Sequence, residues 1–389
     1  MTDTGVPSRR AGGPMLAATL VVLAIVLAAS NIRWPLEDFG EYWAAGRLNA
    51  AGANPYDPGA MLRAQQHIGW TDPEPVMMYN PPWTLALAMP MGAFDFRLAR
   101  SIWLPLQLFL TLWSASRLWI LYGGAPERTM RAWFLALLWS PTVLALRFGQ
   151  LSPVILLGFV GFVWCVLGRR DFAAGAFLAL TAVKPQLVAL VWVPFVLWVC
   201  FDRRWKVLAG AATCVVGSTV AAMSTNPRVF KEYFDLMASS PPTLTFESPN
   251  IATVLRVLSR TQGSWPQYVP TALGAAAVVW LWHSRRQDWD WRRQMPGLVI
   301  ISCLLTSYGG WAFDLVVLLV PIVALAALLA RISRPSLAVA GGAVFLAVSS
   351  LAFGMHAAHV PQAAFLWMTP VVAVTWWALT RAARQGESL

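Results

Sequence analysis

The chain has 389 residues, a formal net charge of +11, 58% hydrophobic residues and only 12% charged ones, with a mean hydropathy of +0.57. A soluble domain of this size has too little interior to hide that much apolar surface. The apolar runs are continuous rather than alternating, which argues against a β-barrel. The basic residues sit in short loops between the runs, so they read as membrane orientation signals and not as a nucleic-acid surface.

The first run, 14–32, follows Arg9 and Arg10 and ends in "AAS". It imitates a secretory signal, but it reads as an uncleaved span because many more spans follow and Arg9-Arg10 lacks the rest of a twin-arginine signal. Further spans are expected near 101–121, 131–147, 151–168, 172–183, 186–201, 206–224, 268–283, 295–308, 311–330, 336–355 and 361–380. With the short, Pro-interrupted segment 81–94, this makes about twelve crossings and one partial helix. The expected fold class is therefore all-α: a polytopic helical membrane protein forming one integral domain over 1–389, without soluble domain, long linker or repeat.

Placing the arginine-rich loops in the cytoplasm, together with residues 1–13, puts 33–80 and 225–267 on the outer face. The turns at Gly149-Gln150, Lys184-Pro185, Gly309-Gly310 and 356–360 join them there. Parity requires one candidate between 81 and 147 not to cross. Segment 81–94 is the expected one, which leaves Arg97 and Arg100 outside.

The first outer loop holds six of the 18 acidic residues. Residues 37–50 read as a helix resting in the membrane interface, with Phe39, Tyr42, Trp43 and Gly46 on its apolar stripe and Glu37, Glu41 and Asn49 off it. "GANPYDP" ends it. Asp38, a carboxylate at the membrane surface, suits a general base; a solvated acid or helix cap fits it as well.

Lys184 is one of three lysines and sits between two apolar halves in "LALTAVKPQLVAL". A cation there must be paired or placed at a wet turn, where it suits an anionic lipid head group. Arg147 with Gln150 in "RFGQLSP", and Arg256 in "SPNIATVLRVL", are further candidates for holding a phosphate. Asp314 opens an apolar span after two glycines and can bind sugar hydroxyls, orient a base or cap the helix. His356 and His359 share the last outer turn. Most of the 22 tryptophans read as interfacial belts, with Trp43, Trp83 and Trp311 adjoining the candidate site. Cys165, Cys200, Cys214 and Cys303 lie in apolar runs without CxxC spacing and read as buried small hydrophobes. "DWD" at 288–290 is too short a match, in an arginine-rich inner loop, to signal a nucleotide-sugar site. No metal or cofactor is expected.

In order along the chain, "DFGEYWAAGRLNAAGANPYD", "YNPPWTLALAMP", "FGQLSPVILLGF" and "ALTAVKPQLVALVWVPFVLWVCFDRRWK" resemble glycosyltransferase family 87. That family comprises membrane enzymes of the GT-C class, including polyprenyl-phosphate-mannose-dependent mannosyltransferases and arabinofuranosyltransferases. The resemblance spans roughly 30–320. It implies inverting transfer of a sugar, mannose first and arabinofuranose second, from a polyprenyl-phosphate donor to a glycolipid or glycan acceptor on the non-cytoplasmic face of the cell membrane.

By the same resemblance Asp38 is the catalytic base, and Tyr42 matches the aromatic position after it. Asn54 and Tyr56 belong to the "NPYD" element and Tyr79 to the "YPP" element. Gln150 and Lys184 lie near the donor, and Asp314 matches an acid beginning a late span. Two departures stand out: "MMYNPP" has one tyrosine where many members carry two, and "SYGGWAF" lacks a histidine that relatives often place nearby. The competing classes are a lipid or solute transporter, which commonly shows repeated halves, and a non-catalytic scaffold.

Overall fold

The computed structural model describes residues 13–29, 34–260, 263–332 and 334–385. Arg9, Arg10 and the exit of the first span at 30–33 lie outside them. Among the described residues the chain is helical throughout, with no strand.

The first five helices are α1 (Gly13–Ala29), α2 (Glu37–Ala50), α3 (Pro58–His67), α4 (Leu85–Gly92) and α5 (Phe96–Leu121). Asp57 and Asp95 cap α3 and α5, accepting the backbone N–H groups of Ala60 at 2.6 Å and Leu98 at 3.0 Å. α4 is an eight-residue helix, about 12 Å long, well short of a bilayer. α6 (Met130–Leu138) and α7 (Ser140–Phe148) form one run bent by 66°. Pro141 removes a helical N–H just after the bend.

α8 (Ser152–Leu167), α9 (Asp171–Ala179), α10 (Pro185–Phe201) and α11 (Trp205–Thr225) follow, separated by tight turns. Shorter helices α12 (Val229–Ser239), α13 (Pro242–Thr245) and α14 (Ile251–Ser259) occupy the second long connection. α15 (Val269–Arg285), α16 (Trp291–Leu305), α17 (Leu319–Leu329), α18 (Pro335–Ala357) and α19 (Met368–Gln385) complete the chain. α5, α8, α16 and α17 pack on one another at the centre. There Phe159, Phe162, Val317 and Leu319 are essentially inaccessible.

The periphery is apolar and exposed: Val216 and Val220 on α11, Leu351 and Phe353 on α18, and Trp377 on α19 all face outward. Water does not tolerate such a surface, and lipid does. Among the described residues four helices are long and apolar enough to cross a membrane, or five counting the bent pair. The chain is thus a multi-pass helical membrane protein. Length alone yields four or five crossings against the twelve or so expected, because turns and 3₁₀ segments split several apolar runs into helices of 10–17 residues.

One expectation is corrected. α2, expected to rest in the membrane interface with Glu37, Glu41 and Asn49 off its apolar stripe, is instead covered by protein. It is buried from Phe39 to Gly46 and packs on α4 and α3. Asn49 donates to Ala222 O at 3.0 Å and to Thr225 Oγ1 at 3.1 Å on α11. Asn49 thus finds partners inside the protein, as burial of a polar group requires, whereas Glu37 stays exposed.

Candidate active site

Four segments remote in sequence meet at one end of the bundle. Asp38 lies in the first turn of α2, Gln150 in the turn joining α7 to α8, Lys184 just before α10, and Asp314 opens the 3₁₀ turn that leads into α17.

Lys184 owes its position to Pro185, which starts α10 and keeps the preceding residue out of helical geometry; Lys184 has φ −134° and ψ 72°. The turn before it is clamped from outside: Asn80 Nδ2 donates to Val183 O at 2.7 Å and Trp83 Nε1 to Ala182 O at 2.9 Å. The ammonium then donates to Asp314 Oδ1 at 2.8 Å and to Gln150 Oε1 at 2.7 Å. Ser152 Oγ donates to the same Asp314 oxygen at 2.6 Å, and Tyr42 Oη to Gln150 Oε1 at 3.0 Å. Both side chains of the ion pair are nearly closed off, at 8% and 2% exposure. A buried pair persists only when further hydrogen bonds offset its desolvation, and here Gln150 and Ser152 supply them.

The turn carrying Gln150 is equally determined. Gly149 ends α7 in the left-handed region at φ +75°, and a Cβ there would lie 2.7 Å from that of Phe39. Trp103 Nε1 donates to Gly149 O at 2.7 Å and Gln107 Nε2 to Gln150 O at 2.6 Å. Arg100, fully buried, donates to Leu146 O at 2.5 Å and Arg147 O at 2.8 Å. It thus places its cation on the terminal carbonyls of α7. Gly309 and Gly310, at φ +80° and +77°, shape the approach to Asp314, and Asn250 and Ser248 hydrogen-bond the Gly309 backbone from the second long connection.

These groups wall a cavity of about 770 Å³. α2, α8 and α10 begin at it, so the positive ends of three helix dipoles point toward one space. Burial pushes the Asp38 carboxyl up to about 7, against the opposing pull of Lys184 and a hydrogen bond from Gln150. Glu41, one turn further on the same face, is 8% exposed. Burial and the nearby Asp38 charge push it well above the usual carboxylate range. Among the described residues no group of three His, Cys, Asp or Glu side chains is arranged to hold a metal ion.

Six of the residues singled out from the sequence line this cavity: Asp38, Tyr42, Tyr79, Gln150, Lys184 and Asp314. Trp311 lines it too. Arg147 is exposed and lies over the Phe148 ring at 5.9 Å; Arg256 lies on α14. Neither reaches the lining. Asn54 and Tyr56 support the wall: Asn54 Oδ1 accepts Tyr56 N–H at 2.8 Å, and Tyr56 Oη donates to Asn80 O at 3.0 Å. Trp43 is a buried anchor donating to Phe94 O, and His356 packs edge-on against Phe148. Sequence reasoning missed Glu41, Asn80, Ser152 and Gln186. Of these, Glu41 had a legible signal, its i, i+3 spacing from Asp38.

Residues 78–307 match the family described as Glycosyltransferase family 87. The chain belongs to this family. Tyr79, Asn80, Gln150 and Lys184 of the cavity fall inside the matched stretch, Asp38 and Glu41 precede it, and Asp314 follows it. Over 253 residues the chain is also 29% identical to the alpha-(1->3)-arabinofuranosyltransferase of Corynebacterium glutamicum, covering 63% of this chain and 59% of that relative. No solved structure matches. Family membership and the apolar helices together make the chain a membrane protein of a glycosyltransferase family.

Proposed function

We propose that this enzyme transfers a sugar from a polyprenyl-phosphate donor to a hydroxyl of a glycan or glycolipid acceptor, with inversion, in the cavity around Asp38 and on the non-cytoplasmic side of the membrane. The observation that carries the reading is the division of labour in that cavity. Lys184 pairs with Asp314 rather than with Asp38, so an acid and a cation face one space in separate roles.

Asp38, poised near neutrality, takes the proton of the attacking hydroxyl. The acceptor oxygen bonds to the anomeric carbon as the carbon–oxygen bond to phosphate breaks, and the electron pair leaves on polyprenyl phosphate. Lys184 and the N-termini of α8 and α10 stabilise that charge. Asp314 and Ser152 position Lys184. The phosphate falls to Lys184 rather than to Arg147 or Arg256, which lie outside the lining. Tyr42 and Gln150 tie the base end of the cavity to the cation end. A lipid-linked donor already carries its activating phosphate, so the reading needs no nucleotide-binding domain.

For the sugar, the relative's arabinofuranosyl activity moves arabinofuranose ahead of mannose. The same reading keeps one membrane domain over 1–389 with about twelve crossings, and with the 33–80 and 225–267 connections on the non-cytoplasmic side. The test is transfer by purified protein in lipid nanodiscs, supplied with decaprenyl-phosphate arabinofuranose or decaprenyl-phosphate mannose and a mixed glycan acceptor pool. Label is expected in the acceptor from one donor. No transfer from either, by protein that is folded and monodisperse, refutes the reading.

A further inference from the structure

The cavity is electrically lopsided. Its lining contains five carboxyl groups, Asp38, Glu41, Asp72, Glu74 and Asp314, and one cation, Lys184. That cation sits at the helix N-termini and is engaged by Asp314 and Gln150. The remainder of the space therefore has no positive charge to offer among the described residues.

The acids at the mouth are fixed there. Asp72 and Glu74 are exposed, but their segment is stapled down by Gln65, itself 1% exposed. Its amide donates to Val76 O at 2.7 Å and accepts Val76 N–H at 2.9 Å. Trp70 Nε1 donates to Glu74 O at 2.9 Å, and Asp72 Oδ1 accepts Glu74 N–H at 2.9 Å. The backbone that carries both carboxylates is thus held at the cavity, and the Asp72 carboxylate is tied to it directly.

Another part of the lining is aromatic. Phe246 is in ring contact with Tyr79 at 5.7 Å, Tyr308 at 6.1 Å and Trp311 at 5.9 Å, and all four line the cavity. Flat rings beside carboxyl and amide groups match the faces and hydroxyls of a sugar chain. Glu41, more than nine-tenths buried, lines the same space. Asp38, Lys184, Asp314, Tyr42 and Tyr308 surround it. No cation lies within ion-pair distance of Glu41 among the described residues.

We propose that the acceptor is an uncharged glycan, whose terminal sugars lie along the Tyr79–Phe246–Trp311 wall with a hydroxyl held by Glu41, and that the fixed acids at the mouth reject anionic acceptors. This inference rests on the glycosyl-transfer reading above and names the acceptor class of the same site.

The test uses the full chain in nanodiscs with each of the two decaprenyl-phosphate donors. The acceptors are an uncharged α-linked oligoarabinoside and oligomannoside, and the same oligosaccharides carrying a terminal-sugar phosphate or carboxylate. The uncharged acceptors are expected to have kcat/KM at least about tenfold higher; two or three like-charge pairs at roughly 6–8 Å across a wet cavity account for such a factor. The ratio should shrink at high salt and fall toward unity in Asp72→Asn/Glu74→Gln. Glu41→Gln should retain part, and Glu41→Ala little, of the acceptor kcat/KM, with the donor KM moved less than the acceptor KM in both. Equal or better use of the charged acceptors, or a Glu41→Ala variant with an unchanged acceptor KM, overturns the inference while leaving the glycosyl-transfer reading standing. Absence of transfer to every acceptor overturns both.

Discussion

The bundle contains two concavities of opposite character. One is the polar cavity of about 770 Å³ at the starts of α2, α8 and α10. The other is an apolar groove of about 440 Å³ between α6, α17, α18 and α19, lined by residues such as Leu138, Ile322, Leu325 and Phe345. In a membrane the second is ordinary surface, because acyl chains solvate aliphatic walls as well as protein does. The first is costly: a buried ion pair must be compensated in place, and the hydrogen bonds around Lys184 and Asp314 do so. In a chain this apolar, the expensive concavity is the one that needs an explanation, and the proposed chemistry supplies it. Trp139 links the two indirectly: it lines the groove, and its indole donates to Leu315 O at 3.0 Å, one residue from Asp314.

The largest effect that sharpens this contrast belongs to Asp38. Asp38→Asn is predicted to lower turnover by about 10²–10⁴-fold while the protein still inserts and runs as a single species on size exclusion. Wild-type kcat/KM should rise with pH and level off above a midpoint near 7, because the base works only once its carboxyl has lost its proton. Below that midpoint it should fall by about tenfold per pH unit. Near-normal transfer by the variant, or a flat profile between pH 5 and 8, would remove Asp38 from the base role.

Next comes the ion pair. Lys184→Met strands Asp314 in a nearly closed site and should destabilise by about 3–5 kcal/mol, read by thermal denaturation in detergent. Lys184→Met/Asp314→Leu should regain most of that stability but not the transfer rate. If the double variant is active, the pair is structural and the contrast drawn above fails.

A smaller effect is expected at Gly149→Ala. The left-handed conformation costs a side chain about 1–2 kcal/mol, and the new Cβ crowds Phe39 beside the base. Thermal stability should fall by that amount, with a several-fold loss of kcat. The smallest change is the control in the groove: Val344→Ala, at a half-exposed lining position, should leave stability within about 0.5 kcal/mol and transfer unchanged. A large loss of transfer there would give the groove a share of the function.

The class of the molecule and its most telling residues were legible because hydropathy and isolated charge are local signals. The apolar runs predicted at 101–121, 151–168 and 206–224 fall on α5, α8 and α11, and Lys184 stood out because an ammonium in an apolar run needs an explanation. Arg147 and Arg256 carried the same kind of signal, yet they do not line the cavity. Charge shows that a residue must be compensated or solvated, not where it points. The burial of Glu41 and Asn49 went unforeseen for a related reason. A single apolar stripe suggests a surface helix, whereas α2 is covered on more than one side, and its polar residues find neighbours on α11 and in the cavity.

What the sequence determined by itself is therefore a membrane-embedded helical chain with a handful of charges too costly to be incidental, because the free energy of burying a charge depends on its immediate surroundings. Only the tertiary structure decided which charge answers which. Lys184 is 130 positions from Asp314, and Tyr42 is 108 from Gln150. No periodicity links such residues; the packing of α2, α8, α10 and α17 around one space does.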